Sequence, residues 1–227
     1  AVALLYSGTS LPVLLALGEE GANRLADLMR GMMHLLPPHF YTHLSPGISP
    51  VLEEWYRSHS HGMHYKMALT GHGRLDSVDT SEVIPVALED AAELASLYDK
   101  SYPGNVFDPR MLETGRFYGI RRDSTLVSVA GIHVYSPRYR VAAIGNVATH
   151  PAWRGQGLGK AVCARLCIRL LDTVDHIGLN VKADNADAIR IYEKLGFERV
   201  ATYLECSLEW RGREGAKTRQ VSETWQL

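Results

Sequence analysis

The residues best suited to chemistry lie in one short stretch, Arg154-Gly155-Gln156-Gly157-Leu158-Gly159-Lys160. Glycine lacks a Cβ, so backbone N–H groups here can turn toward a ligand that approaches closely. The stretch is expected to follow a strand and open a helix. A helix N-terminus has N–H groups without intrahelical partners and about half a positive charge. With Arg154 and Lys160 beside it, the stretch makes an anion site suited to a pyrophosphate.

Several phosphate chemistries compete for such a loop. A nucleotide-binding P-loop has four residues between its first glycine and Gly-Lys, then Ser or Thr. Here three residues separate Gly155 from Gly159-Lys160 and Ala161 follows, so the Mg²⁺-binding hydroxyl is missing. A dinucleotide fingerprint needs Gly-x-Gly-x-x-Gly in the first βαβ unit. Gly155, Gly157 and Gly159 are spaced differently and come late in the chain. A plain helix cap needs neither three glycines nor two flanking cations.

Other reactive side chains carry less. Cys163 and Cys167 lie four apart on one face of an expected helix, without the further ligands a metal would need. With Cys206 they are too few for a disulfide framework and read as small buried hydrophobes in a reducing compartment. His59, His61 and His64 show no strong ligand spacing and read as a solvated loop. No metal is expected.

The loop must be held by regular elements. Strands are expected at 83–88, 116–120, 126–135, 139–149 and 176–181, and a strand-like stretch from Phe197 to about Leu208. Helices are expected at 89–100, from Asp108-Pro109, from Gly159 to about Asp172, and from Asn185 to Leu195. Asn185 is an N-cap type and Gly196 a C′ type. Hairpins come first and helical crossovers later, which predicts an α/β fold with a mixed, mostly antiparallel sheet flanked by helices. Residues 1–80 differ: they are rich in histidine and turn signals, with a helix expected over Glu19–Leu36 (Leu25, Leu28, Met29, Met32 and Leu36 at helical spacing) and a short one over Leu52–Arg57. The polar, Gly-containing segment 70–81 is the best linker. The expected division is an N-terminal accessory half, 1–80, and a domain over 81–227.

Arg154-x-x-Gly157-x-Gly159 resembles the Arg/Gln-x-x-Gly-x-Gly/Ala motif of the GNAT superfamily of N-acetyltransferases. Downstream, Asn185-x-x-Ala188-x-x-x-Tyr192-x-x-x-Gly196-Phe197 is similar to that family's second signature. The resemblance covers about Val83 to Trp210, and the additional N-terminal half looks most like the glycine-N-acyltransferase-like branch. It implies acetyl-CoA or another acyl-CoA as co-substrate. The pyrophosphate would rest on the N–H groups of Gln156, Gly157, Leu158, Gly159 and Lys160, with the charge of Arg154 near Gly155. The pantetheine arm would bond to Val147, Ala148 and Thr149, and Asn185 would touch it or cap the next helix. Tyr192 would protonate the departing thiolate. The family's usual glutamate is missing, because Val141–Asn146 contains no carboxylate. Asn146 or Thr149 acting through water, His133 or His150 acting directly, a water chain, and an amine that arrives deprotonated all remain open as the base.

At 227 residues, 46% hydrophobic and 22% charged, the chain suits one large or two small globular domains. A net charge of −1 supplies no global field for nucleic acid. No apolar run reaches the roughly 20 residues of a membrane-spanning helix. With what the GNAT resemblance implies, the expected protein is a cytoplasmic acyltransferase acting on an amine-bearing small molecule or peptide through a ternary complex. A homodimer is left open, and no nucleic acid or membrane partner is expected. The alternative is a non-catalytic acyl-CoA-binding sensor or scaffold. The N-terminal half is expected to narrow the acceptor side.

Overall fold

A computed structural model of the chain describes residues 1–18, 23–105 and 107–212. In chain order its elements are β1 (Leu4–Tyr6), β2 (Val13–Ala16), α1 (Asn23–Met32), β3 (His39–Leu44), α2 (Ser49–Glu53), β4 (Tyr56–Leu69), β5 (Ile84–Pro85), α3 (Ala91–Ser101), β6 (Tyr118–Arg122), β7 (Thr125–Ser136), β8 (Val141–Thr149), α4 (Leu158–Leu171), β9 (His176–Lys182), α5 (Ala186–Leu195) and β10 (Phe197–Trp210). The chain divides into two compact units. One takes residues 1–62 and the described residues from Tyr203 onward; the other is 63–202.

In the first unit β1 is antiparallel to β2, β2 parallel to β3, and β3 antiparallel to β10. Along β3, Phe40, Thr42 and Leu44 are buried while His39, Tyr41 and His43 face the other way, the alternation of a strand with one covered face. Phe40 and Leu44 join a core with Leu14, Leu25, Met29, Leu52 and Tyr56. The helix expected over Glu19–Leu36 is shorter. Residues 19–22 lie outside the described residues, and α1 gives way at Met33 to a 3₁₀ turn ahead of Pro37-Pro38, where two N–H donors are missing. The helix expected over Leu52–Arg57 starts earlier, with Pro50 in its first turn, and Tyr56 already belongs to β4.

The stretch from His59 to His64, expected as a solvated loop, lies inside β4. Ser, His and Gly have weak strand preference of their own, so pairing decides. His61 Nε2 lies 2.8 Å from Ser207 Oγ and His59 Nε2 3.9 Å from Glu209, both on β10, and His64 opens the ladder to β9. Among the described residues no group of histidines, cysteines or carboxylates is arranged to hold a metal.

In the second unit β5, β6, β7 and β8 pair antiparallel in sequence, β8 is parallel to β9, and β9 is antiparallel to β4. This is the mixed, mostly antiparallel sheet with flanking helices that the pattern predicts. The parallel step needs a crossover, and α4 supplies it. Val162, Cys163, Leu166, Cys167 and Leu170 of α4 are fully buried. Burial pushes the Cys163 thiol up to about 12 and the Cys167 thiol well above its usual range, so both cysteines pack rather than react. The helix expected from Asp108-Pro109 is only a 3₁₀ turn, Pro109–Thr114, with Asp108 accepting from Arg110 N. Segment 70–81 lies within this unit: Thr70 N and Gly71 N both donate to Gly196 O, and Leu75 is 1% exposed. No helix among the described residues is long and apolar enough to cross a membrane.

Candidate active site

The site begins with an irregularity in β8. Asn146 takes φ +51°, a conformation rare outside glycine, and pairing with β7 shifts register between Gly131–Gly145 and Val129–Ala148. On its other side β8 pairs with β9 from Val141–His176 to Ile144–Leu179, and there the ladder stops. Both strands run on: β8 to Thr149, and β9 to Lys182 against β4. Among the described residues, the backbone of 145–149 therefore has a side without a strand partner, directly before the glycine loop.

The loop is anchored at both ends. His150 N donates to Val127 O, and His150 Nδ1 accepts from Ala152 N at 3.3 Å. Arg154 donates from Nε to Thr149 O at 3.2 Å and from Nη2 to Ser101 O at 3.1 Å, tying the loop to the end of α3. Its charge stays near the loop, but its donors also serve the framework. Gly155 and Gly157 both have φ +79°, and an added Cβ at either would meet nothing within 4 Å. Their requirement is conformational. Gly157 is the N-cap of α4, and the N–H groups of the first turn have no carbonyl four residues back to bond. Gly159 differs: its φ is ordinary and an added Cβ would sit 3.4 Å from Thr149 Oγ1. Beside the loop lies a cavity of about 280 Å³ whose lining includes Gln156, Gly157, Leu158 and Lys160, but also the carboxylates of Asp79 and Glu82.

Five expected residues have definite neighbours. Asn185 Oδ1 accepts from Ala188 N at 3.1 Å, so Asn185 caps α5. Thr149 Oγ1 meets Ser128 Oγ at 2.9 Å. Val147 is half-buried against the core, and Ala148 is buried opposite Val129. Tyr192 lies on α5 with 8% of its surface exposed, its ring edge-on to Phe197 at 5.9 Å. Burial pushes its phenol well above the usual range, with Cys163, Cys167 and Tyr102 as lesser contributors, so it stays protonated at neutral pH.

Asn146 is 2% exposed. Its Nδ2 donates to Ile132 O at 3.3 Å and approaches Met111 Sδ at 3.5 Å, while Oδ1 is buried with no partner among the described residues. An orphaned acceptor of this kind costs about 1–3 kcal/mol. Tyr98, which helical spacing marks only as an inward residue of α3, donates to Asn146 O at 2.8 Å and steadies the bulge. Met111 and Ser128 also belong to the site. No sequence motif marks them, because each is brought in by packing across elements.

Residues 85–197 match the acetyltransferase (GNAT) family. Through that segment the chain belongs to the GNAT acetyltransferase family. The GNAT segment runs from β5 to the start of β10 and contains the bulge, the loop and Tyr192. The chain is 36% identical over 126 residues to uncharacterized protein ML0378 of Mycobacterium leprae, covering 51% of this chain and 33% of that one. It is 33% identical over 109 residues to the N-alpha-acetyltransferase RimI of Mycobacterium tuberculosis, covering 45% of this chain and 65% of RimI. The chain thus spans a third of the first relative and just under two thirds of the second. A GNAT-family crystal structure from Novosphingobium aromaticivorans superposes with a TM-score of 0.62 at 23% identity, covering 87% of this chain and 84% of that one. At that identity the likeness concerns the fold.

Proposed function

We propose that the protein transfers an acetyl or other short acyl group from acyl-coenzyme A to a primary amine, by direct attack within a ternary complex. The observation that carries this reading is the end of β8–β9 pairing at Ile144–Leu179, immediately before a helix N-terminus cradled by two left-handed glycines. An extended, amide-containing pantetheine arm fits the side of residues 147–149 that β9 leaves, as an added strand would. Its pyrophosphate fits the N–H groups of residues 156–160. In this reading one β8 N–H polarises the thioester carbonyl and holds the developing oxyanion. Tyr192, kept neutral by burial, protonates the leaving thiolate. Asn146 presents its free buried acceptor to the nitrogen or to a water beside it.

The glycine-N-acyltransferase-like branch stays part of the proposal, supported by a compact unit built from residues outside the matched segment. The absence of a carboxylate on β8 favours the second reading, a module that binds acyl-coenzyme A without turnover. Calorimetry with coenzyme A and a thiol-release assay with acetyl-coenzyme A and a panel of amines separate the two. Gly157→Val forces a β-branched residue to φ +79°. It is expected to weaken coenzyme A binding at least tenfold, and unchanged affinity removes the donor-site assignment.

A further inference from the structure

We propose that His133 takes the proton from the incoming ammonium. The role rests on the acyl-transfer reading and supplies the base that β8 lacks. Two irregularities meet here. On β7, Ile132 stands opposite Ile144 and Val134 opposite Ala143, so His133 is an extra residue without a strand partner. On β8, two residues away, Asn146 takes its left-handed turn. The two are cross-linked. Asn146 Nδ2 bonds the carbonyl just before His133, and the His133 ring lies across Gly145, just before Asn146.

Gly145 has no left-handed backbone to explain it. A glycine inside a strand weakens the strand unless something needs the space. Here the imidazole needs it: an added Cβ would fall 1.6 Å from His133 Cδ2 and 2.1 Å from Nε2. The missing side chain at 145 is what lets the ring lie beside the bulge. Rival bases are occupied. His150 uses Nδ1 as a cap, and Thr149 Oγ1 is paired with Ser128. The His133 ring has no hydrogen-bond or ion-pair partner among the described residues. It keeps solvent access at the surface of β7, so a captured proton can leave. Desolvation by the surrounding protein lowers its pKa from the ordinary 6.5, and no charged neighbour contributes, so the ring is neutral and able to accept at neutral pH.

The step balances as follows. R–NH₃⁺ gives one proton to a ring nitrogen of His133. The freed lone pair attacks the thioester carbon, the C–N bond forms and the C–S bond breaks. Tyr192 gives its phenolic proton to the departing sulfur and regains the second proton of the nitrogen. His133 releases its proton to water. The products are an amide, a thiol and one proton.

The test uses the full chain and His133→Gln, which keeps a polar side chain of similar length. Transfer with acetyl-coenzyme A is expected to fall about 10²–10⁴-fold in kcat, with coenzyme A affinity by calorimetry changed less than twofold. In the unsubstituted chain kcat/KM should rise with pH through a midpoint below 6.5, the neutral imidazole being the active form. That acidic limb should vanish in the variant. His133→Gly should regain rate with added free imidazole, which a structural role would not allow. A variant with kcat within threefold and the same acidic limb overturns the role of His133 while acyl transfer stands. An unsubstituted chain that binds coenzyme A but acetylates no amine overturns the transfer reading first, and this role with it. If the variants do not fold, the His133 ring is titrated by NMR in the unsubstituted chain. A midpoint that does not move when acetyl-coenzyme A and the acceptor bind overturns the proposal, and one that moves supports it.

Discussion

At the scale of single residues, the site is a set of polar groups that the fold leaves deliberately incomplete. Tyr192 is buried, kept protonated and packed on Phe197, with its hydroxyl making no hydrogen bond among the described residues. Tyr192→Phe preserves the ring contact and removes only that hydroxyl. The melting temperature should therefore stay nearly unchanged, since the ring contact is kept and no hydrogen bond among the described residues is lost. If the phenol is the general acid, kcat at saturating substrate should drop about 10²–10⁴-fold. An unchanged kcat, with chemistry shown to limit the rate, reduces Tyr192 to a core residue. The two cysteines near it are not expected to contribute, because thiols raised this far are not nucleophiles at neutral pH.

At the scale of elements, α5 is defined by its two ends. Asn185 closes the first turn, and Gly196 ends the last with φ +96°. Gly196 does more than stop the helix. Its carbonyl accepts from Thr70 N and Gly71 N, each at 3.0 Å, and Arg74 Nη1 donates to Glu193 O, so residues 70–74 are docked on this helix end. An added Cβ at Gly196 would lie 2.3 Å from Gly71 O. Gly196→Ala is therefore expected to cost more than the about 1–3 kcal/mol of backbone strain alone. Denaturant unfolding would measure it. A loss below 1 kcal/mol would mean that segment 70–74 moves aside freely.

At the scale of the whole molecule, the division into units bears on how the chain can be cut. The polar segment 70–81 invites a boundary near Ser81, yet a chain starting there lacks residues 64–68 of β4, which pair with β9, and the buried side chains of Met67, Leu69 and Leu75. Such a chain is expected to lose cooperative thermal unfolding. A chain of residues 63–202 keeps the β4–β9 pairing of its unit and should melt cooperatively and bind coenzyme A at the glycine loop. Circular dichroism and calorimetry on both chains check this. A cooperative, coenzyme A-binding chain from Ser81 would show that the β4 strand is dispensable.

Much of this was legible in the residues because it is local. The glycines of the loop, the cap at Asn185, the stop at Gly196 and the apolar spacing of α4 each follow from φ preference, unsatisfied N–H groups or helical period within a few residues. Other features depend on partners distant in sequence. The run from His59 to His64 becomes a strand only because other strands pair with it, and β4 and β10 each give residues to both units. The bulges at His133 and Asn146 exist only in the register between β7 and β8. No single strand's sequence determines how many residues its partner sets against it. Hence the contacts that bear on the candidate bases, which stay open in the sequence alone, come from tertiary structure: it pairs Thr149 Oγ1 and His150 Nδ1, leaves the Asn146 acceptor without a partner among the described residues, and lays the His133 imidazole across a glycine.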